Sequence, residues 1–292
     1  MSIHAIIHPE SIIRLRICIL SILLIVLRSF CYGQDNYEIQ VYGSDLVPVG
    51  STMIELHSNY TAIGSTMIND GVRPTQGAEH ETIEITHGFT PWFEVGFYYF
   101  SSFNPKYGYQ WVGDHIRPRF AVPESLNWPV GLSLSTEFGY QRPEYCDDEY
   151  TLELRPIIDK KIKKWYFSLN PVIDYAFKGF DAGKGGEFSP NVKFSFDVTK
   201  EVALGLEYYG SLGPVTGFFP YQQQQHQVFP AIDLNLSPDW EFNFGVGKGF
   251  TSSTDGLIFK MILGRRLSGN NGHKMKKQLY EHKPHNKIFF QG

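Results

Sequence analysis

The stretch Val130-Gly-Leu-Ser-Leu-Ser-Thr-Glu-Phe-Gly-Tyr140 decides the fold. In an extended chain Val130, Leu132, Leu134, Phe138 and Tyr140 share one face, and Gly131, Ser133, Ser135, Glu137 and Gly139 share the other. A period of two marks a strand with unlike faces. The pattern recurs. Val192, Phe194 and Phe196 oppose Asn191, Lys193, Ser195 and Asp197; Trp240, Phe242, Phe244 and Val246 oppose Glu241, Asn243, Gly245 and Gly247; Leu257, Phe259, Met261 and Leu263 oppose Ile258, Lys260, Ile262 and Gly264.

Applied along the chain, the alternation predicts strands near 51–60, 80–88, 93–101, 114–122, 130–140, 149–158, 165–177, 188–197, 202–210, 227–236, 240–250 and 257–267. The connections alternate in length, with 61–79, 102–113, 178–187 and 211–226 long and 89–92, 159–164, 198–201 and 237–239 short. Short turns at one rim and longer loops at the other are the layout of an outer-membrane barrel. The expected fold is therefore all-β, a transmembrane antiparallel up-and-down β-barrel of about 12 strands spanning residues 51–267.

Aromatic placement agrees. Trp92, Trp128, Trp165 and Trp240 stand at or beside the short connections, where a girdle meets the headgroups on the periplasmic side. Tyr60, Tyr99, Tyr140, Phe177, Tyr208, Tyr209 and Phe250 stand at the opposite strand ends. Pro118, Pro156, Pro171, Pro190 and Pro230 fall inside predicted strands, where each removes a ladder donor, and are expected to mark bulges or local strand ends.

The composition fits this class. The 292 residues are 42% hydrophobic, 15% aromatic and only 19% charged, which excludes a disordered chain. Mean hydropathy of −0.22 excludes a helical membrane bundle. A net charge of −4 without clustered Lys and Arg argues against a nucleic-acid partner.

Arg14 and Arg16 precede the apolar run Ile17–Leu27, and small residues follow at Cys31 and Gly33, so residues 1–33 read as a cleaved secretory signal peptide. As a membrane anchor the run is too short, because eleven helical residues rise about 16 Å against a hydrocarbon core of about 30 Å. Cleavage leaves the chain near −6 with Cys146 as its one thiol, hence without an intramolecular disulfide. Residues 34–50 form a periplasmic N-terminal segment or a plug; Tyr37, Ile39 and Val41 alternate there with Glu38, Gln40 and Tyr42. Residues 268–292 form a basic tail, expected to be disordered, with five Lys against Glu281. Without the leader and the tail, the barrel region carries a net charge near −10.

The segments Gly88-Phe-Thr-Pro-Trp-Phe-Glu-Val-Gly-Phe97, Leu204-Gly-Leu-Glu-Tyr-Tyr-Gly-Ser-Leu-Gly213 and Trp240-Glu-Phe-Asn-Phe-Gly-Val-Gly247 resemble the Gram-negative outer-membrane barrels grouped as meta-pathway phenol-degradation or transporter-like proteins. The resemblance covers roughly residues 36 to 267. It implies an outer-membrane barrel taking up small, often aromatic or apolar compounds, and it carries over no catalytic residue. Such barrels usually end on an aromatic residue, whereas here the last strand ends Gly264-Arg-Arg-Leu267, with Phe289 and Phe290 as a substitute assembly signal.

The polar face predicts a pore lining of Glu55, His57, Glu84, Glu94, Arg117, Arg119, Glu137, Glu153, Arg155, Asp174, Lys193, Glu207 and Lys260, with Asp197, Asp233 and Glu241 beside them. Such a wall either sets ion preference or forms a ladder of cross-strand ion pairs that fills the barrel. Arg117, Arg119 and Arg155 are its best anion-contacting group.

Enzymatic motifs fail on geometry. Leu56-His-Ser-Asn-Tyr60 resembles the His and Ser of a barrel phospholipase, but Ser58 points away from the face that carries His57 and Asn59. His80-Glu-Thr-Ile-Glu84 lacks the second histidine of a zinc protease and alternates as a strand. Gly179–Lys184 is one residue short of a phosphate loop, and Gly245-Val-Gly-Lys-Gly249 has no helix after it, so its glycines relieve crowding. No catalytic residue, cofactor or metal site is expected. The expected protein is a passive channel or uptake pore for small solutes, with a closed structural or surface-binding barrel as the alternative. Its partners are outer-membrane lipid, the barrel-assembly machinery and a small-molecule solute.

This topology places Cys146 in an outside loop. An impermeant thiol reagent should label it on intact cells; labelling only after rupture of the outer membrane inverts the topology.

Overall fold

Strands with one apolar face leave hydrogen-bonding groups on both edges, and in lipid the solution for them is a closed ring. A computed structural model describing residues 37–237 and 239–268 has that ring. Its strands are β1 (Ser51–Ile63), β2 (Glu79–Thr90), β3 (Phe93–Asn104), β4 (Gly108–Ala121), β5 (Gly131–Gln141), β6 (Asp148–Ile162), β7 (Trp165–Gly179), β8 (Glu187–Asp197), β9 (Val202–Ser211), β10 (Gln225–Leu234), β11 (Trp240–Gly249) and β12 (Leu257–Ser268). Each pairs antiparallel with its neighbours in sequence, and β1 closes on β12 from Ser51↔Ser268 to Ile63↔Leu257. The fold is a twelve-stranded transmembrane β-barrel. The signal peptide of residues 1–33 and the basic tail beyond Ser268 lie outside the described residues.

Two connections depart from the expected alternation of lengths. The long loop expected at 102–113 is instead the tight turn 105–107: Asn104 Oδ1 accepts from Lys106 N at 2.9 Å, Tyr107 N bonds Asn104 O at 3.0 Å, and Gly108 takes the left-handed conformation at φ 67°. At the other rim, 122–130 is longer than its neighbours because a short 3-10 turn, Glu124–Leu126, ends on left-handed Asn127.

The prolines do not mark bulges or strand ends, with the exception that Pro190 lies just beyond the β8–β9 ladder. The β4–β5 ladder skips Arg117 and Pro118 and resumes in the same register. The β6–β7 ladder likewise skips Arg155–Ile157 opposite Asn170–Val172, so Pro156 and Pro171 share one gap, and the β10–β11 ladder skips Phe229 and Pro230. A missing donor removes a rung without shifting the chain.

The outer wall is a band of exposed apolar side chains, among them Phe97, Phe120, Leu134, Phe138, Phe167 and Leu206. Trp92, Trp128, Trp165 and Trp240 are exposed at the rim that carries 91–92, 122–130, 163–164 and 235–239. Tyr209 is not part of the opposite girdle. It is 1% exposed inside the barrel, because alternation sends one of the adjacent Tyr208 and Tyr209 outward and the other in.

Leu134 faces outward on β5, 42% exposed. Leu134→Arg should destabilise the inserted barrel by about 2–4 kcal/mol in urea titrations from vesicles, whereas Leu134→Val should be nearly silent. Equal stability of the two would mean that this face does not meet lipid.

Candidate functional site

All thirteen residues expected to line the pore lie on inward-facing positions, and nine of the charged ones pair with one another; residues 37–49 pass between them. That segment runs inside the barrel down to the rim where β1 begins. Among the described residues its one strand-like contact is the Val49↔Gly88 bridge. Backbone buried without a neighbouring strand needs other partners, and the wall supplies them. Tyr42 N donates to Asn170 Oδ1 at 2.8 Å, Ser168 Oγ and Asn170 Nδ2 donate to Tyr42 O, and Val47 N donates to Glu94 Oε2 at 2.6 Å. Arg119 donates to the carbonyls of Gly43 and Asp45, Lys260 to that of Ile39, and Thr82 to that of Tyr37.

Apolar contacts fix the same segment. Ile39 and Val41 pack on Tyr209, Phe229 and Ile258, while Tyr37 packs on Tyr98, Phe100 and Val112. Glycines give the room: a Cβ on Gly247 would lie 2.2 Å from the Phe229 ring, and one on Gly43 2.8 Å from Tyr166 Oη.

Tyr42 is the hub. The guanidinium carbons of Arg155, Arg117 and Arg119 lie 5.0, 5.2 and 5.8 Å from its ring centre, and its hydroxyl donates to Glu38 and meets Tyr98 Oη at 3.1 Å. These arginines are therefore not an open anion-contacting group. Arg117 pairs with Glu84 and Glu94, Arg119 with Glu94 at 2.7 Å, and Arg155 with Glu153 at 2.6 Å. On the opposite wall Glu207 bridges Lys260 and Lys193, Lys193 reaches Asp233 at 2.8 Å, and Tyr209 Oη donates to Glu207. His115 meets Glu137 at 2.6 Å. The remaining pore-lining positions, Glu55, His57 and Asp174, also face the interior.

Above the plug the lumen opens into a cavity of about 290 Å³ beneath the long loops. Nine carboxylate residues line it, among them Asp147, Asp148, Asp181 and Glu187, against the cations Arg73 and Arg155. The loop 64–78 folds over its edge, where Arg73 stacks on Tyr107 and Tyr145 and Thr75 Oγ1 donates to Asp255. Cys146 also lines the cavity.

Sequence reasoning missed Tyr42, Ser168, Asn170 and Asp159, which binds Ser44 Oγ at 2.5 Å. The inward parity of Ser168 and Asn170 on β7 was the available signal. The hydrolase-like Ser58 sits on the outer face and donates to Glu81 at 2.8 Å, away from buried His57.

Neither a protein-family model nor a curated relative matches the sequence. Among solved structures the chain is similar to the KdgM porin, at 11% identity and TM-score 0.47 over 73% of this chain and 98% of that one. It is also similar to the NanC porin, at 8% identity and TM-score 0.46 over 74% and 99%. The outer membrane protein Omp33 of Acinetobacter baumannii gives 10% identity and TM-score 0.40 over 77% and 100%. Likeness at this level carries no argument about activity or solute, and the meta-pathway resemblance has no family model behind it.

Burial and the neighbouring carboxylates of Asp148, Asp181 and Asp70 push the Asp147 carboxyl up to about 6. The folded loop thus keeps, between about pH 4 and 6, a proton that the unfolded loop releases, so this junction loses stability as pH rises through that window. Asp147→Asn should reduce the loss. Hydrogen exchange of 142–148, corrected for intrinsic rates, checks it; an unchanged pH dependence in the variant contradicts the assignment.

Proposed function

We propose that the protein is an outer-membrane channel for small polar or cationic solutes, entered from outside through the acidic vestibule and gated by residues 37–49. The observation that carries this reading is that the vestibule ends directly on the plug. Nine carboxylate residues against two arginines make the entrance cation-attracting, and the polar lining favours such solutes over apolar ones. The plug is held by side-chain contacts that can be exchanged for water, without a strand ladder. Twelve strands enclose a lumen between the side-chain-filled eight-stranded and the aqueous sixteen-stranded barrels, so withdrawal of the segment would leave a water path.

The reading includes export by way of the leader of residues 1–33. Cleavage after Gly33 leaves three residues ahead of Tyr37, which already lies within the lumen, 3% exposed. The second reading, a closed barrel whose vestibule holds a ligand at the cell surface, draws on the dense packing of Ile39, Val41 and Tyr37 against the wall.

Planar-bilayer recordings separate the two. The full chain should show low or flickering conductance, and Tyr42→Ala or removal of 37–47 should raise it several-fold. The opened pore should prefer cations at low salt, with the preference fading near 1 M, where the screening length is about 3 Å. A barrel that stays silent without its plug would establish the closed reading.

A further inference from the structure

On the inner faces of β1 and β2, three donors converge. Glu55 stands directly opposite Glu84 in the ladder, and His57 follows two residues along the same face. One ligand atom from each lies within 4.8 Å of the other two, and His57 Nε2 is 3.5 Å from Glu84 Oε2. All three side chains are buried, His57 and Glu84 at 0% exposure.

The surroundings leave this group incompletely satisfied. His57 Nδ1 has no hydrogen-bond partner among the described residues, and His57 Nε2 and Glu84 Oε2 have only each other, at 3.5 Å, longer than a good hydrogen bond. Arg117 takes the other oxygen of Glu84 and shares Glu94 with Arg119, so two guanidiniums match two carboxylates. Among the described residues Glu55 makes no ion pair, and it feels Arg117 and Arg119 only at longer range. Glu241 flanks it across Gly264, which both residues face in the ladder, and adds a second carboxylate that makes no ion pair among the described residues. Like charges placed directly opposite in a sheet repel, and more strongly away from water.

A divalent cation resolves both problems. We propose that Glu55, His57 and Glu84 bind a divalent first-row transition metal, with Zn²⁺ as the probe. One imidazole and two carboxylates are a donor set for such ions, and the nitrogen disfavours Ca²⁺ and Mg²⁺. Tetrahedral ligands at about 2.0–2.2 Å lie about 3.3–3.6 Å apart, which the His57 and Glu84 atoms already approach. Gly264 leaves space beside Glu55 for its carboxylate to close the triad: a Cβ there would lie 3.0 Å from Glu55 Cγ. The two positive charges offset Glu55 and Glu241. The site ties β1, the strand that closes the ring, to β2 at the base of the plug, and it stands whether or not the barrel conducts.

The test uses the tag-free full chain, refolded in detergent after chelator treatment and titrated with Zn²⁺ by calorimetry and with Co²⁺ by visible absorption. Wild type should bind one equivalent more than Glu55→Gln or His57→Gln, with a Co²⁺ ligand-field band that both variants lose. The loss of affinity should exceed the roughly 10–100-fold that removal of an outer-shell partner causes. His80→Gln should leave the equivalent intact, and binding by His273, His282 and His285 of the tail is common to all the proteins. Folding of each is read from heat-modifiable gel mobility; should His57→Gln fail it, the near-isosteric Glu55→Gln decides. A wild type that binds no more Zn²⁺ than Glu55→Gln overturns the proposal.

Discussion

The ring of Tyr42, with three guanidinium groups 5.0–5.8 Å from its centre, is the contact around which the interior is organised. A cation over an aromatic face is worth about 0.5–1 kcal/mol in water and about 2 or more when desolvated. Here the same arginines are also ion-paired, so Tyr42 fixes both the plug and the orientation of the wall. Its backbone, held by Ser168 and Asn170, registers the segment against β7, and Arg119 holds the next turn of chain through Gly43 and Asp45.

This arrangement explains how the lumen carries so many buried charges. Removing one partner from a buried pair is strongly destabilising, because the other charge is left in a medium that cannot solvate it. The wall therefore uses shared partners, with Glu94 between Arg117 and Arg119 and Glu207 between Lys193 and Lys260. The plug completes the sets through Glu38 and its carbonyls. Polar residues lock the interior in one arrangement, while the apolar contacts of Ile39 and Tyr37 supply the attraction that water does not weaken.

The strands were legible because unlike faces impose a period of two, which Val130–Tyr140 shows with Thr136 as its one polar residue on the apolar face. The same parity identified the inward charges. Which charge meets which was not legible, since that depends on ladder register and on a plug whose own alternation suited either the lumen or the space beneath the barrel. Arg155 is one example: its ion pair with Glu153 lies along one strand, but its stacking on Tyr42 comes from outside the barrel sequence. The donors Glu55, His57 and Glu84 escaped motif spacing because they sit on two strands and meet only through the β1–β2 pairing. At 105–107 the chain turns far more tightly than Pro and Gly suggest, since the Asn104 side chain replaces a longer loop's hydrogen bonds.

The central claim is that residues 37–49 are packed inside the barrel as part of its folded interior. Amide hydrogen exchange of that segment in the refolded protein tests this most directly, because Tyr42 N and Val47 N are bonded to wall side chains and a loose peptide would exchange at intrinsic rates. Protection of 37–49 for hours, comparable with the barrel strands, is the predicted result. Complete exchange within seconds to minutes while β1 to β12 stay protected would place the segment outside the lumen and contradict the account.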